Sequence, residues 1–151
     1  MFEGLKLTPD LPPVWLLVFA TLTWVLATYL PLVVFDVAPL GRLVILIGLA
    51  LIGWSAIWFW RKKTPIEPGH QPKALIIEGP YRLTRNPIYV GLALILLGYA
   101  LGQGGLSGLV PVFAFPIVIH RRFVLPEEAM LRAAFPTEAE AYIARTRRWL
   151  I

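Results

Sequence analysis

Val14 to Phe35 is a run of 22 residues without one charge. As a helix rising about 1.5 Å per residue it reaches roughly 33 Å, enough to cross a hydrocarbon core of about 30 Å. Leu40 to Trp60 is a second such run, with Arg42 near its start. The intervening Asp36-Val37-Ala38-Pro39 reads as a tight turn, so 14–35 and 40–60 are expected to form a helical hairpin. Ile88–Leu101 and Leu106–Ile119 are uncharged runs of 14 residues each, separated by Gly102-Gln103-Gly104-Gly105. Each is short for a span, which suggests a second hairpin of short or tilted helices over 88–125.

Composition agrees. Hydrophobic residues make up 58% and charged residues 15%, against about 45–50% and about 25% in soluble domains. So much apolar surface excludes a disordered chain. The absence of cysteine excludes a disulfide scaffold or a thiolate site, and two histidines leave little for an imidazole centre, so no metal is expected. The expected class is all-α: one polytopic membrane domain over 1–151, with about four spans in two hairpins and a cytoplasmic C-terminal helix. Met1–Pro13 does not read as a signal peptide, because it carries one Lys and two acidic residues before an overlong apolar run. Prolines 9, 12 and 13 suggest an ordered lead-in that stops where the first helix begins.

Under four spans nearly every Lys and Arg outside them falls on one side, from Arg61-Lys62-Lys63 through Arg82 and Arg85 to Arg147-Arg148; only Arg42 falls at the other end. That asymmetry predicts cytoplasmic termini and a cytoplasmic 61–87 connection, in a multi-pass integral membrane protein. Trp58, Trp60 and Trp149 flank the basic clusters as interfacial anchors do. A net charge of +5 on such a chain points to anionic head groups, not nucleic acid. Prolines 65, 68 and 72 keep helix out of 61–79. In the tail (127–151), Thr137-Glu138-Ala139-Glu140 fits a capping box with Thr137 as N-cap.

The densest polar cluster is Gly79-Pro80-Tyr81-Arg82-Leu83-Thr84-Arg85-Asn86-Pro87-Ile88-Tyr89-Val90-Gly91. Asn86 suits an N-cap and Pro87 the first helical position, so the third helix begins here with its positive dipole end beside Arg82 and Arg85. That is either an anion site with Tyr81 and Tyr89 as aromatic faces, or a capped helix start whose arginines bind lipid phosphates. Glu127 and Glu128 are adjacent, so on a helix they point about 100° apart. They read as a solvated face paired with Arg121, Arg122 or Arg132, or as one inward carboxylate facing Arg85. His120 reads as an interfacial polar residue and His70 as a loop residue. Gly91, Gly98 and Gly102 share a face that permits close helix contact. Tyr142 and Arg145, one turn apart, read as packing residues or as a brace for the loop.

The stretch Gly79-Pro80-Tyr81-Arg82, then Arg85-Asn86-Pro87-Ile88-Tyr89-Val90-Gly91, resembles the signature of the isoprenylcysteine carboxyl methyltransferase and phospholipid N-methyltransferase group. Its Asn position is often His in that group. Glu127-Glu128, Leu131, Phe135, Tyr142 and Arg147-Arg148-Trp149 resemble the group's C-terminal pattern, so the likeness covers about 61–151. The resemblance implies an integral membrane enzyme that uses S-adenosylmethionine to methylate a lipid or other amphiphile at the cytoplasmic face. Carried over by position, it puts Leu75, Ile76, Gly79, Tyr81, Asn86 and Tyr89 on one side of a cofactor pocket and Glu127 and Glu128 on the other. Arg85 and Glu128 are the expected catalytic pair. Arg85 would take the acceptor or methionine carboxylate, and one glutamate the ribose hydroxyls or the ammonium. The competing expectations are a small NADPH-dependent reductase akin to sterol reductases, and a non-enzymatic adaptor that binds anionic lipid.

Overall fold

The computed structural model describes residues 10–150, and the expected lead-in proline at position 9 lies outside them. Six α-helices carry the described residues: α1 (Pro12–Tyr29), α2 (Ala38–Lys62), α3 (Pro87–Gln103), α4 (Val110–Ile119), α5 (Leu125–Ala134) and α6 (Pro136–Arg145). Among the described residues the only β pairing is an isolated bridge between Val34 and Gly105. Three helical stretches among the described residues are long and apolar enough to cross a membrane: α1, α2, and Leu106–Ala134, which runs unbroken through α4 and α5. At 17 residues, α3 is an apolar helix of only about 25 Å.

The first helix ends six residues before its uncharged run does. Pro31 has no N–H to extend α1, and Leu32 enters the left-handed region at φ 60°. Residues 31–35 instead form an irregular connection that bends at Leu32 and Val33, and the Phe35 N–H donates to the Gly104 carbonyl at 2.9 Å. Hydropathy could not register this break, because the residues beyond it are as apolar as those before. Nor do α1 and α2 pack as a hairpin pair. Helix α2 lies along α3, while α1 lies against α3, α4 and the turn before α4.

Glycine explains that choice. Gly41 and Gly48 on α2 face Gly98 and Gly91 on antiparallel α3, and a Cβ on Gly48 would stand 2.6 Å from the Gly91 carbonyl oxygen. Close backbone approach is thus built into both helices at matching seven-residue intervals. Gly102, expected on the same contact, faces open space.

The last span keeps going past its prolines. Pro111 sits in the first turn of α4, Pro126 in the first turn of α5, and only Pro116 lies inside a helix. Pro126 removes the N–H that would meet the Arg122 carbonyl, and a π turn over His120–Val124 takes up the irregularity. The Glu127-Glu128 pair therefore rides on the continuation of the span.

The tail folds as two short helices. The expected N-cap at Thr137 is displaced: α6 starts at Pro136, with Phe135 in the capping position and no side-chain cap. Proline presets the first helical φ one residue earlier, and Glu140 binds Arg132 at 2.7 Å instead of reaching back. Core packing concentrates where Phe19, Leu96, Phe115, Ile119 and Val124 meet, between α1, α3 and the last span.

Candidate active site

The signature segment forms one tight 3-10 turn, Gly79–Arg82, followed by the start of α3. Gly79 has φ +61°, and a Cβ there would run into the Trp58 indole. Glycine is required for that packing. Asn86 takes the N-cap position and Pro87 the first helical one, but the Asn86 side chain makes no cap bond. Its Nδ2 donates instead to the Arg148 carbonyl at 2.8 Å. Thr84 Oγ1 donates to the same carbonyl at 2.8 Å, and the Arg85 N–H donates to the Arg147 carbonyl at 2.8 Å. The C-terminal segment is thereby fastened onto the signature turn.

A cavity of about 440 Å³ opens beside this turn, within the usual size range of small-molecule sites. Its walls are the 64–72 loop, Leu75 and Ile76, Tyr81, the first turn of α3, α5, α6 and the head of α1. Of the residues singled out from sequence, Leu75, Ile76, Tyr81, Arg85, Asn86, Tyr89, Glu127 and Glu128 all line it. Gly79 does not; it sits behind Tyr81, against Trp58.

The two glutamates have different surroundings. Glu128 is buried, and the Arg148 guanidinium donates to both its oxygens, at 2.8 and 2.9 Å. Arg85 Nη2 stands 3.5 Å from the same carboxylate. Arg121, Arg122 and Arg132 make no ion pair with either glutamate. Glu127 accepts one hydrogen bond, from the Tyr89 hydroxyl at 2.5 Å, which leaves its second oxygen without a protein donor among the described residues. Arg85 is similarly underused: its Nε is buried with no partner, and its Nη1 only reaches the Ile143 carbonyl at 3.5 Å. A part-buried guanidinium with an unpartnered Nε keeps hydrogen-bonding capacity that an anion could satisfy, because a desolvated donor without an acceptor is costly.

Around the pair, Tyr142 Oη donates to the Tyr81 carbonyl at 2.7 Å, with Arg145 6.0 Å from the Tyr142 ring centroid. Tyr142 is therefore a brace for the signature turn. Burial pushes the Tyr142 phenol above its ordinary range, against the opposing pull of Arg85 and Arg145. Burial, then Tyr142 and Glu127, push Tyr81 up as well. Both hydroxyls are proton donors at neutral pH, not bases. The Glu128 hydrogen bond holds the Arg148 guanidinium above its ordinary value.

Sequence reasoning gave no site role to Arg148 or Leu11–Pro13, and of the loop before the signature it named only Leu75 and Ile76 as pocket residues. Arg148 acts on Asn86 across 62 residues, and its only cue was its place in the closing Arg147-Arg148-Trp149. His70 lines the loop wall, 4.0 Å from Glu67. His120 lies outside the cavity, with Nδ1 buried and unpartnered.

The family model described as phospholipid methyltransferase matches residues 37–138, more than half of the chain. The match takes in α2, the signature turn, α3 and the last span with Glu127 and Glu128. It begins after α1 and stops before Tyr142 and Arg148. No curated protein and no solved structure matches the chain.

Proposed function

The chain belongs to the phospholipid methyltransferase family, and from that membership we propose an S-adenosylmethionine-dependent enzyme that methylates the amine of a phospholipid head group at the cytoplasmic membrane face. In this reading all four apolar helices cross the bilayer, α3 as a short span. The observation that carries it is the cavity at the start of α3, where Arg85 and Glu127 present unmatched hydrogen-bonding capacity of opposite sign.

Those residues fit a zwitterionic nucleoside sulfonium. Arg85 holds the methionine carboxylate, whose oxygens supply the acceptors its buried Nε lacks. Glu127 takes the ammonium or the ribose hydroxyls on its unshared oxygen. Glu128 is engaged by Arg148, so its part is to position Arg85 rather than to touch ligand. Tyr81 and Tyr89 offer ring faces to a cation. S-adenosylmethionine supplies an electrophilic methyl whose sulfur departs as a neutral thioether, so no protonating acid is required. The head-group ammonium first gives a proton to water; the freed lone pair then forms the N–CH3 bond as the S–CH3 bond breaks. What remains for the protein is alignment and exclusion of water, which the buried walls favour.

The test is S-adenosylhomocysteine binding to detergent-purified protein, by calorimetry and thermal shift. Wild type binds, while Arg85→Ala and Glu127→Gln each bind about tenfold or more weakly, as expected for one lost charge-assisted hydrogen bond. Equal affinity in all three removes these assignments. Stabilisation by NADPH instead of S-adenosylhomocysteine transfers the chain to the reductase reading.

A further inference from the structure

The head of α1 lies outside the family match, yet it forms part of the cavity wall. Leu11, Pro12 and Pro13 line it there. This wall is chemically plain. The two prolines have no N–H, and the Leu11 carbonyl already accepts from Val14 and Trp15, at 3.0 and 3.2 Å. It offers nothing to a carboxylate, an ammonium or a ribose, only apolar surface. Pro13 is itself exposed, and one turn on, on the same face of α1, Leu17 is 69% exposed. On a membrane-crossing helix that face meets lipid, so the wall stands between the cavity and the hydrocarbon.

The wall is also fastened. Asp10 Oδ1 accepts from Trp15 Nε1 and from Arg122 Nε, both at 2.9 Å, and Oδ2 accepts from Arg122 Nη2 at 2.7 Å. The Arg122 guanidinium lies over the Trp15 ring, 5.1 Å from its centroid. Arg122 sits on the π turn of the last span, a few residues before Glu127. A single two-pronged ion pair thus ties the start of α1 to the helix that carries the site's free carboxylate.

We propose that Leu11, Pro12 and Pro13 form the surface on which a hydrocarbon chain of the acceptor lies, and that the Asp10–Arg122 pair positions that surface relative to the methyl-transfer centre. The inference rests on the function proposed above and adds to it the residues that read the apolar half of the substrate. The acceptor's head is selected at Arg85 and Glu127, its chain at α1.

Two measurements decide it, both on the full chain. The first uses wild type and phosphatidylethanolamine carrying a diazirine in its acyl chain. Adducts at Leu11–Pro13 that excess unlabelled phosphatidylethanolamine removes, and phosphatidylglycerol does not, support the wall. Labelling spread along the outer face of α1 without competition overturns it. The second compares Arg122→Gln and the milder Asp10→Asn. Loosened contact with one or two methylenes raises KM for long-chain phosphatidylethanolamine about tenfold. KM for the dihexanoyl lipid, kcat and S-adenosylhomocysteine affinity stay near wild type, and the double variant is no worse than either single one. Equal KM increases for both lipids, or a matching loss of S-adenosylhomocysteine affinity, overturn the positioning role. A wild type that binds no S-adenosylhomocysteine, but shows saturable labelling at Leu11–Pro13, refutes the methyltransferase reading and leaves the lipid wall standing.

Discussion

Truncating Arg148 to alanine strips a buried carboxylate of its principal partner. Glu128 has a side chain only 5% exposed, whereas that of Arg148 is 35% exposed. Exposed ion pairs are worth about 0–1 kcal/mol, while removing one partner of a fully buried pair costs about 3–5 kcal/mol. Solvent screening at the arginine puts this pair between those limits, at about 2 kcal/mol. For a chain of this size that lowers Tm by about 4–8 °C. The second consequence is functional. With Arg148 gone, the nearest cation to Glu128 is Arg85, now 3.5 Å away. Arg85 closes on the orphaned carboxylate, and its guanidinium is withdrawn from the cavity. S-adenosylhomocysteine affinity therefore falls with stability, although Arg148 itself does not line the cavity. Glu128→Gln on its own costs less, about 1 kcal/mol, because its closest partner, Arg148, is partly exposed and the more buried Arg85 stands farther off, at 3.5 Å. The double variant Glu128→Gln/Arg148→Ala should be no less stable than Arg148→Ala alone, giving a coupling of about 1 kcal/mol or more. Tryptophan-detected unfolding in detergent, with a parallel ligand titration, measures both. Strictly additive losses, or full ligand affinity in Arg148→Ala, would refute the reasoning.

Gly48→Ala and Gly98→Ala each force the α2 and α3 backbones apart and cost about 1–3 kcal/mol, while Gly102→Ala, facing open space, leaves Tm unchanged. Tyr142→Phe removes the donor to the Tyr81 carbonyl and costs about 1 kcal/mol, with a further loss of ligand affinity as the signature turn loosens. Burial pushes the Glu78 carboxyl up, but the Lys62 hydrogen bond and the Ile77 N–H outweigh it, so the folded protein holds this group below its ordinary value of 4.5. Its contribution is complete above that value and is lost as pH falls through the lower folded value, so acid unfolding curves of wild type are steeper than those of Glu78→Gln.

Local chemistry was legible in the sequence, and long-range chemistry was not. The start of α3 at Asn86-Pro87 could be read because proline fixes its own φ and its neighbour's. The end of α1 could not, since Pro31 interrupts an apolar run without changing its hydropathy. The signature turn and the twin glutamates, expected at one depth from a fixed motif and an uncharged span, line one cavity. Their division of labour was not legible: Glu128 is occupied by a residue 20 positions away, Arg148. Gly79 was assigned to the pocket by its position in the family signature alone. The partner it approaches is Trp58, at the end of a helix whose register the sequence does not reveal. The Leu11–Pro13 wall was invisible for the same reason, since only tertiary packing brings α1 to the cavity.

The most direct measurement is transfer of a radiolabelled methyl group from S-adenosylmethionine to phosphatidylethanolamine by the purified chain in lipid nanodiscs. Label appears in the extracted lipid with wild type and falls to background with Arg85→Ala. Wild-type protein that leaves all label in the aqueous phase, or an Arg85→Ala variant that transfers it at the wild-type rate, contradicts the account.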